Sequence, residues 1–425
     1  MEYARQFVYS SNALRLSGRQ WLALAGVLLA LAFGIPAAWV WFEPFRPCGD
    51  YRLPYEFSQD YWHCARWFRE AARAGRVLVI GDSVVWGEYV GLGDTLTAQL
   101  NRRAGEERFA NLGVNGLHPA AMLGMLRYHG GVVRGRDVVV VLNTLWMSSA
   151  RHDLREVPAD GESGRATLNH PALVPQFWPS VPSYSASFEE RAGIVVERAI
   201  PFFRWMEHQK SKGARLEGGG AETGRDAESG DAGSEPRIDD PLPRPFAGFS
   251  AQVPQPTPGP HGQPLTWEER GIPVGGIPWP AARESLQWRF FRDVIGLLQS
   301  RGNRVFVWVS PFNPHLLNPE SRASHETMVG AMAEELRLAG VDVFCGMPLP
   351  SEEYADASHP LAPGYAHLAR ALWDDDVFRA WLAGDGRRAS GRNGAKLSLS
   401  RQWHGHPGRG AGHGQDAHAT MPDIP

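Results

Sequence analysis

Cysteine is scarce in this chain, with three residues in 425. So few thiols exclude a disulfide framework as the main source of stability, and no pair of CxxC motifs indicates a structural metal site. Cys48 and Cys64 lie close together in the sequence. Their spacing leaves a disulfide and two free thiols equally open. Cys345 lies in an apolar run and is predicted to belong to the core.

The chain also lacks a large excess of positive or negative charge. The chain has 43 basic and 46 acidic residues, which gives a formal net charge of −3. Nucleic-acid-binding domains usually carry a pronounced basic surface, so this balance gives no reason to expect a nucleic-acid partner. Hydrophobic residues make up 43% of the sequence, which is enough for a substantial folded core.

Long apolar runs are rare, but one stands near the N-terminus. Residues 21–42 carry no charge, and a helix of this length crosses the roughly 30 Å hydrocarbon core of a bilayer. Arg5, Arg15 and Arg19 precede the run. The positive-inside rule therefore predicts a cytoplasmic N-terminus, residues 1–20, and an extracytoplasmic remainder in the periplasm or outside the cell. A cleaved signal peptide and a buried core helix are the competing interpretations.

Five short apolar runs indicate the strands of a parallel sheet. The clearest is DVVVVL at residues 137–142, in which consecutive apolar residues leave no polar face. Stretches with helical spacing alternate with these runs, which predicts an α/β fold with helices on both faces of the sheet. The predicted strands are 76–80, 109–112, 137–142, 305–309 and 341–345, and the predicted helices lie near 95–103, 286–298, 325–338 and 365–372.

Two stretches have too few apolar residues to build a core. Residues 210–275 are rich in Gly, Pro, Asp and Glu, and are predicted to form a low-complexity, disordered insertion. Residues 384–425 are predicted to form a disordered tail. The folded domain then comprises residues 76–209 and 276–383, with 43–75 as a juxtamembrane segment.

Two further groups of side chains lie beside the predicted insertion and in the predicted tail. Aromatic residues before the insertion are predicted to form a lid or an extra subdomain; they are Trp178, Tyr184, Phe188, Phe202, Phe203 and Trp205. Histidines in the tail have irregular spacing in a Gly-rich context, which favours no metal site. They are His404, His406, His413 and His418.

Ser83 is the candidate nucleophile. It stands in VLVIGDSVVWG, directly after the first predicted strand. A tight glycine-containing turn at a strand end can present a serine hydroxyl to a cleft, where a neighbouring base can activate it. Gly-Asp-Ser is also a good turn sequence, so the motif alone does not establish this role.

Asp356 and His359 form the second candidate element, in DASHPLAPGYAHLARAL. A carboxylate three residues before a histidine can reach one ring nitrogen and fix the tautomer, which leaves the other nitrogen to act as a base. One short loop would then supply both the base and the residue that orients it. The alternative is a surface loop that caps the helix beginning near Pro363.

These motifs together resemble the GDSL/SGNH hydrolase superfamily, in which a strand ends in GDS and a terminal D-x-x-H-P precedes a helix. The resemblance runs from about Arg76 to Trp373, and it implies a three-layer, flavodoxin-like α/β domain. It also implies a Ser83, His359, Asp356 triad that needs no cofactor or metal. NLGVNG, residues 111–116, resembles the second family block, which assigns an oxyanion-binding backbone N–H to Gly116, with Gly113 as the other candidate.

The third family block departs from this pattern. The family shows G-x-N-D after its third strand, whereas this chain reads VVVVLNTLWMS. Asn143 occupies the glycine position, and Leu145 occupies the position of the asparagine that donates to the oxyanion. Asn143 is therefore open to two roles, as an oxyanion donor or as a cap for the strand and turn.

The resemblance implies acyl transfer by a serine. The predicted function is a membrane-anchored extracytoplasmic serine esterase that acts on O-acyl esters of a glycan, a lipid or a small molecule. One alternative is a polysaccharide O-acyltransferase that works with a multispanning acyl exporter, a membrane-bound O-acyltransferase. A second alternative is a catalytically weak binding or scaffolding member of the fold, because fold resemblance sets a reaction type better than a substrate.

Overall fold

The computed structural model describes residues 16–43, 45, 47, 51–157, 168–218 and 264–384. Its centre is a parallel sheet of five strands in the order β2-β1-β3-β4-β5. Each strand begins and ends within one residue of the predicted run, since uninterrupted apolar segments of this length fit a sheet buried on both faces. The strands are β1 Val77–Gly81, β2 Phe109–Gly113, β3 Asp137–Leu142, β4 Arg304–Val309 and β5 Asp342–Cys345.

Helices connect and flank these strands, and the four predicted helices are confirmed as α5, α9, α10 and α11. Helix α10 begins earlier than predicted because the Asn318 side chain accepts a hydrogen bond from Ser321 N at 2.8 Å and so caps its first turn. The helices are α1 Gly18–Leu29, α2 Ile35–Phe42, α3 Tyr61–Arg73, α4 Ser83–Trp86, α5 Leu96–Ala104, α6 Pro119–Gly124, α7 Phe188–Ala199, α8 Pro201–Gly218, α9 Leu286–Ser300, α10 Pro319–Leu338, α11 Ala362–Asp374 and α12 Asp376–Ala383.

Two apolar cores lie on opposite faces of the sheet, and they produce three layers. Alternate strand residues such as Leu78 and Val140 pack under α3, α6, α9 and α10. Their neighbours Val79 and Val139 pack under α5, α11 and α12. This confirms the predicted α/β architecture with helices on both faces.

The strand order locates a crevice at the carboxyl ends of the strands. β1 pairs with β2 on one side and with β3 on the other, so the connections that leave β1 and β3 diverge to opposite halves of the sheet. In open parallel sheets, this reversal point is where ligands bind. The residues directly after β1, β2 and β3 therefore border one crevice.

Residues of the predicted juxtamembrane segment pack in the same core as the sheet. Helix α3 packs in one of the two cores, with Trp67 and Phe68 almost fully buried. Arg52 is fully buried and donates to the carbonyl oxygens of Gly87 and Val90 at 2.8 and 2.9 Å. Its guanidinium thereby supports the loop that follows the GDS turn. Cys64 is buried in α3, and Cys48 lies outside the described residues.

The apolar N-terminal run is helical from Gly18 to Phe42, with one turn of π-helix between α1 and α2. By length and composition, this helix is able to cross a membrane. Helix α8 packs alongside its second half. The ring centroids of Trp39 and Trp205 are 5.3 Å apart, and His208 Nε2 lies 2.9 Å from Glu43 Oε1. Trp205, predicted to belong to a lid or subdomain, therefore contacts the N-terminal helix.

The structure describes both ends of the predicted insertion at 210–275, as residues 210–218 and 264–275. Helix α8 continues to Gly218, and the chain packs against the domain again before Gly275. Trp267 is 6% exposed, and its backbone N–H donates to Tyr354 O at 2.9 Å. Because the stretch as a whole has few apolar residues, its composition did not predict these short contacts. Residues 219–263 and the tail from 385 onward, with its four histidines, lie outside the described residues.

Candidate active site

Three predicted residues converge at the crevice. Ser83 is the first residue of α4, directly after β1, and the loop between β5 and α11 carries Asp356 and His359. Ser83 Oγ lies 2.7 Å from His359 Nε2, and His359 Nδ1 lies 2.7 Å from Asp356 Oδ2. The fold therefore brings together two motifs that are 276 positions apart in the chain.

The Asp356 carboxylate is held in a fixed orientation. Its Oδ1 accepts the backbone N–H groups of Ser358 and His359 at 2.8 and 2.9 Å, and its Oδ2 is left to face the imidazole. Burial alone would raise the pKa of Asp356, but the His359 charge and these hydrogen bonds outweigh burial and lower that pKa. Asp356 is therefore ionised at neutral pH.

His359 is a strong base in this site. It is 9% exposed, and burial by itself lowers its pKa. The Asp356 charge and hydrogen bond, together with the charges of Glu88 and Asp82, act in the other direction and raise the pKa of His359 to about 9. The Tyr89 ring packs edge-on against the imidazole, with centroids 5.5 Å apart, and so restricts its rotation.

The loop after β2 favours Gly116 over Gly113 for the oxyanion role. The Gly113 N–H already donates to Asn111 Oδ1 at 3.0 Å. Gly116 lies beyond the strand with a φ of +69°, a conformation that glycine adopts without strain. Glu88 and His170 hold this loop, through bonds to the Asn115 side-chain nitrogen at 2.6 Å and to its carbonyl oxygen at 2.7 Å. The oxyanion role of Gly116 stays a prediction.

Asn143 makes the contacts of a cap. Its Oδ1 accepts the N–H of Leu145 at 3.0 Å, and its Nδ2 donates to Asp82 Oδ2 at 2.8 Å. These bonds fit the alternative role in which Asn143 caps the strand and turn. One of the two amide hydrogens of Asn143 is bonded to Asp82. The role of Asn143 as an oxyanion donor stays a prediction. The Leu145 side chain packs against the apolar core.

Asp82 is the residue whose importance the sequence did not reveal. It is 2% exposed, and its Oδ2 accepts from Trp146 Nε1 at 2.7 Å as well as from Asn143. Its Oδ1 accepts the Val84 N–H at 3.1 Å and caps α4. The Gly-Asp-Ser motif contained a signal for this role, because Asp is a common helix cap. The partners Asn143 and Trp146 depend on the tertiary fold.

Replacing Asp82 with alanine is expected to lower the free energy of unfolding by about 3 kcal/mol. The reason is that the substitution removes the cap of α4 and leaves the buried Asn143 amide and the half-buried Trp146 indole N–H without their acceptor. Chemical denaturation in detergent micelles measures this change. The matched control is Asp376→Ala, since the Asp376 side chain is 90% exposed and its loss should cost less than about 1 kcal/mol. Equal stability of the two variants would contradict the account of Asp82.

In the described part of the chain, no three His, Cys, Asp or Glu side chains are arranged to hold a metal ion. The crevice presents the Ser83, His359 and Asp356 side chains in one hydrogen-bonded array. A serine with this base and this orienting carboxylate can act as a nucleophile. Neither a protein-family model nor a curated protein sequence matches the chain.

Proposed function

We propose that this protein is a serine hydrolase of the SGNH type that cleaves O-acyl esters. The observation that carries the proposal is the continuous hydrogen-bonded array from Ser83 Oγ through both ring nitrogens of His359 to Asp356, with two contacts of 2.7 Å. Its position at the carboxyl ends of β1 and β5 supports the same conclusion, because substrates approach parallel sheets at that edge.

The reaction follows from this arrangement. His359 Nε2 takes the hydroxyl proton as Ser83 Oγ bonds to the ester carbonyl carbon, and Asp356 stabilises the imidazolium that forms. The N–H groups of Ser83 and Gly116 hold the carbonyl oxygen while it carries negative charge. The imidazolium then protonates the departing alcohol. Water, activated by the same histidine, releases the acyl group as a carboxylic acid and restores Ser83.

We also propose that the helix from Gly18 to Phe42 anchors the protein in a membrane, with the folded domain on the extracytoplasmic side. Two features support this: the helix is long and apolar enough, and most of its large side chains are exposed on the isolated chain. Basic residues on its N-terminal side set the orientation. The substrate would then be an ester of the cell envelope or of the surrounding medium.

The hydrolysis rate is expected to depend on pH through His359. The base must be neutral to accept the Ser83 proton, and its pKa of about 9 leaves it mostly protonated at pH 7. For a short-chain p-nitrophenyl ester, kcat/KM should therefore rise about tenfold per pH unit below pH 9 and then level off, because this ratio reports the free enzyme. A profile already flat above pH 7 would contradict the assigned environment of His359. Complete absence of hydrolysis across acyl esters of different chain length would contradict the proposed function.

A further inference from the structure

We propose that the outward face of α7, with neighbouring aromatic side chains, is a second membrane contact that rests in the headgroup region of the bilayer. This face consists of Phe188, Val195, Val196 and Ala199, and we call it the α7 face. The proposal rests on the proposed membrane anchor and goes beyond it, because it places a particular surface of the folded domain against lipid.

Helix α7 has its arginines turned inward and four of its apolar residues turned outward, while Ile194 packs in the core. Arg198 donates to the carbonyl oxygens of Ala172 and Val174, both at 2.6 Å, and Arg191 donates to Tyr184 O at 2.8 Å. The residues of the α7 face lie at positions i, i+7, i+8 and i+11, which share one side of a helix. Phe188, Val195 and Val196 are 72%, 42% and 47% exposed. Such an arrangement is unfavourable in water and suits an apolar surrounding.

Further apolar groups extend the α7 face. Phe177 and Phe188 have ring centroids 5.8 Å apart, and Phe177 is 52% exposed. The next residue, Trp178, is 86% exposed. Trp is enriched where membrane meets water, since its ring is amphipathic. Phe203, in the first turn of α8, is a further exposed aromatic residue at 38%.

The direction of α8 shows which way this surface points. Trp205 contacts Trp39, and later turns of α8 place His208 and Lys212 against Glu43. Helix α8 therefore runs parallel to α2. Its N-terminal end, and the corner that joins it to α7, lie towards the middle of the apolar helix.

A buried polar cluster holds α8 against the end of the apolar helix and the start of α3. His208 bridges Glu43 and Asp60, at 2.9 and 2.5 Å, and all three side chains are almost fully buried. The burial of Glu43 would raise its pKa, but the hydrogen bond with His208 and the charges of His208, Lys212 and Arg66 lower it to about 2. If the apolar helix crosses a bilayer, the corner between α7 and α8 must therefore enter the bilayer from the surface at which Glu43 emerges. The α7 face adjoins the apolar helix, which lipid surrounds if it crosses the bilayer. We therefore infer that lipid, and not another protein, covers the α7 face.

A fluorescence-quenching measurement on the full chain tests the proposal. A coumarin amino acid replaces Val195 in one variant and Glu197 in the matched control, which is exposed on the opposite side of α7. Both proteins are reconstituted into phosphatidylcholine vesicles and isolated by flotation. A nitroxide on the upper acyl chain should quench position 195 about twofold or more above position 197, and aqueous iodide should show the reverse order, since interfacial helices sink about 5–10 Å into the boundary.

Each other outcome overturns the proposal in an identifiable way. Equal iodide quenching at both positions would show that the α7 face lies in water. Protection of position 195 from both quenchers would show that protein covers it, from this chain or from a partner. If the chain does not float with the vesicles, the membrane anchor itself is wrong and the α7 proposal fails with it. The hydrolase assignment is independent of that result, because ester cleavage is measured in detergent.

Discussion

Replacement of Ser83 by alanine is expected to reduce ester hydrolysis by about 10⁴-fold or more, since loss of a triad nucleophile leaves only binding and oxyanion stabilisation. The fold should survive, because the hydroxyl makes its described hydrogen bond to His359 and the cap of α4 is provided by Asp82. The measurement is kcat/KM for a p-nitrophenyl ester, with circular dichroism to verify folding.

The chain provides a matched control for this substitution. Ser148 Oγ lies 2.9 Å from His152 Nδ1, so it makes a serine–histidine hydrogen bond of similar length. Ser148→Ala should keep kcat/KM within about twofold of the parent protein, because the Ser148 hydroxyl bonds to His152 and not to a member of the Ser83, His359, Asp356 array. The nucleophile assignment would be refuted if Ser148→Ala lost activity while Ser83→Ala retained it.

Replacement of Asp356 by asparagine is expected to lower kcat by about 10⁴-fold, as in other triads that lose the orienting carboxylate. The physical reason is a change of tautomer. The new Oδ1 still accepts the backbone N–H groups that now bind Asp356, so the amide nitrogen turns towards His359 Nδ1. Nδ1 must then accept a hydrogen bond, the proton moves to Nε2, and Nε2 is no longer able to take the Ser83 proton.

A second carboxylate–histidine pair serves as the control for Asp356. Glu353 Oε2 lies 2.9 Å from His367 Nδ1, in the same part of the chain. Glu353→Gln should leave kcat almost unchanged. Asp356→Asn should also move the acidic limb of the pH profile to lower pH, because it removes the Asp356 charge, which is the largest cause that raises the pKa of His359. Loss of rate in Asp356→Asn without that displacement would indicate a folding defect rather than a lost base.

The sheet was the part of the fold that the sequence predicted best. Runs such as DVVVVL leave no polar face, so they fit a strand covered on both sides. Helices α3, α4, α6, α7, α8 and α12 were not predicted. The buried face of α3 includes the polar residues His63 and Arg66 beside its apolar residues, and α7 exposes Phe188, Val195 and Val196.

The sequence predicted the three residues of the candidate triad, but not the hydrogen bonds that hold the turn around Ser83 in place. Ser83, Asp356 and His359 stand in two short motifs that have local signals. By contrast, the bonds from Asn143 and Trp146 to Asp82 join residues more than 60 positions apart. Such contacts depend on the order of the strands, which apolar periodicity does not encode. The buried pairing of His208 with Glu43, 165 positions apart, escaped prediction for the same reason.

Covalent labelling with a fluorophosphonate tests the central claim most directly, because this reagent reacts preferentially with an activated serine oxygen. The full chain in detergent is treated with the probe and digested, and the modified peptide is identified by mass spectrometry. The account predicts one adduct on Ser83, which is absent in Ser83→Ala and strongly reduced in Asp356→Asn. Equal labelling of the parent protein and Ser83→Ala, or failure of the folded parent protein to react, would contradict it.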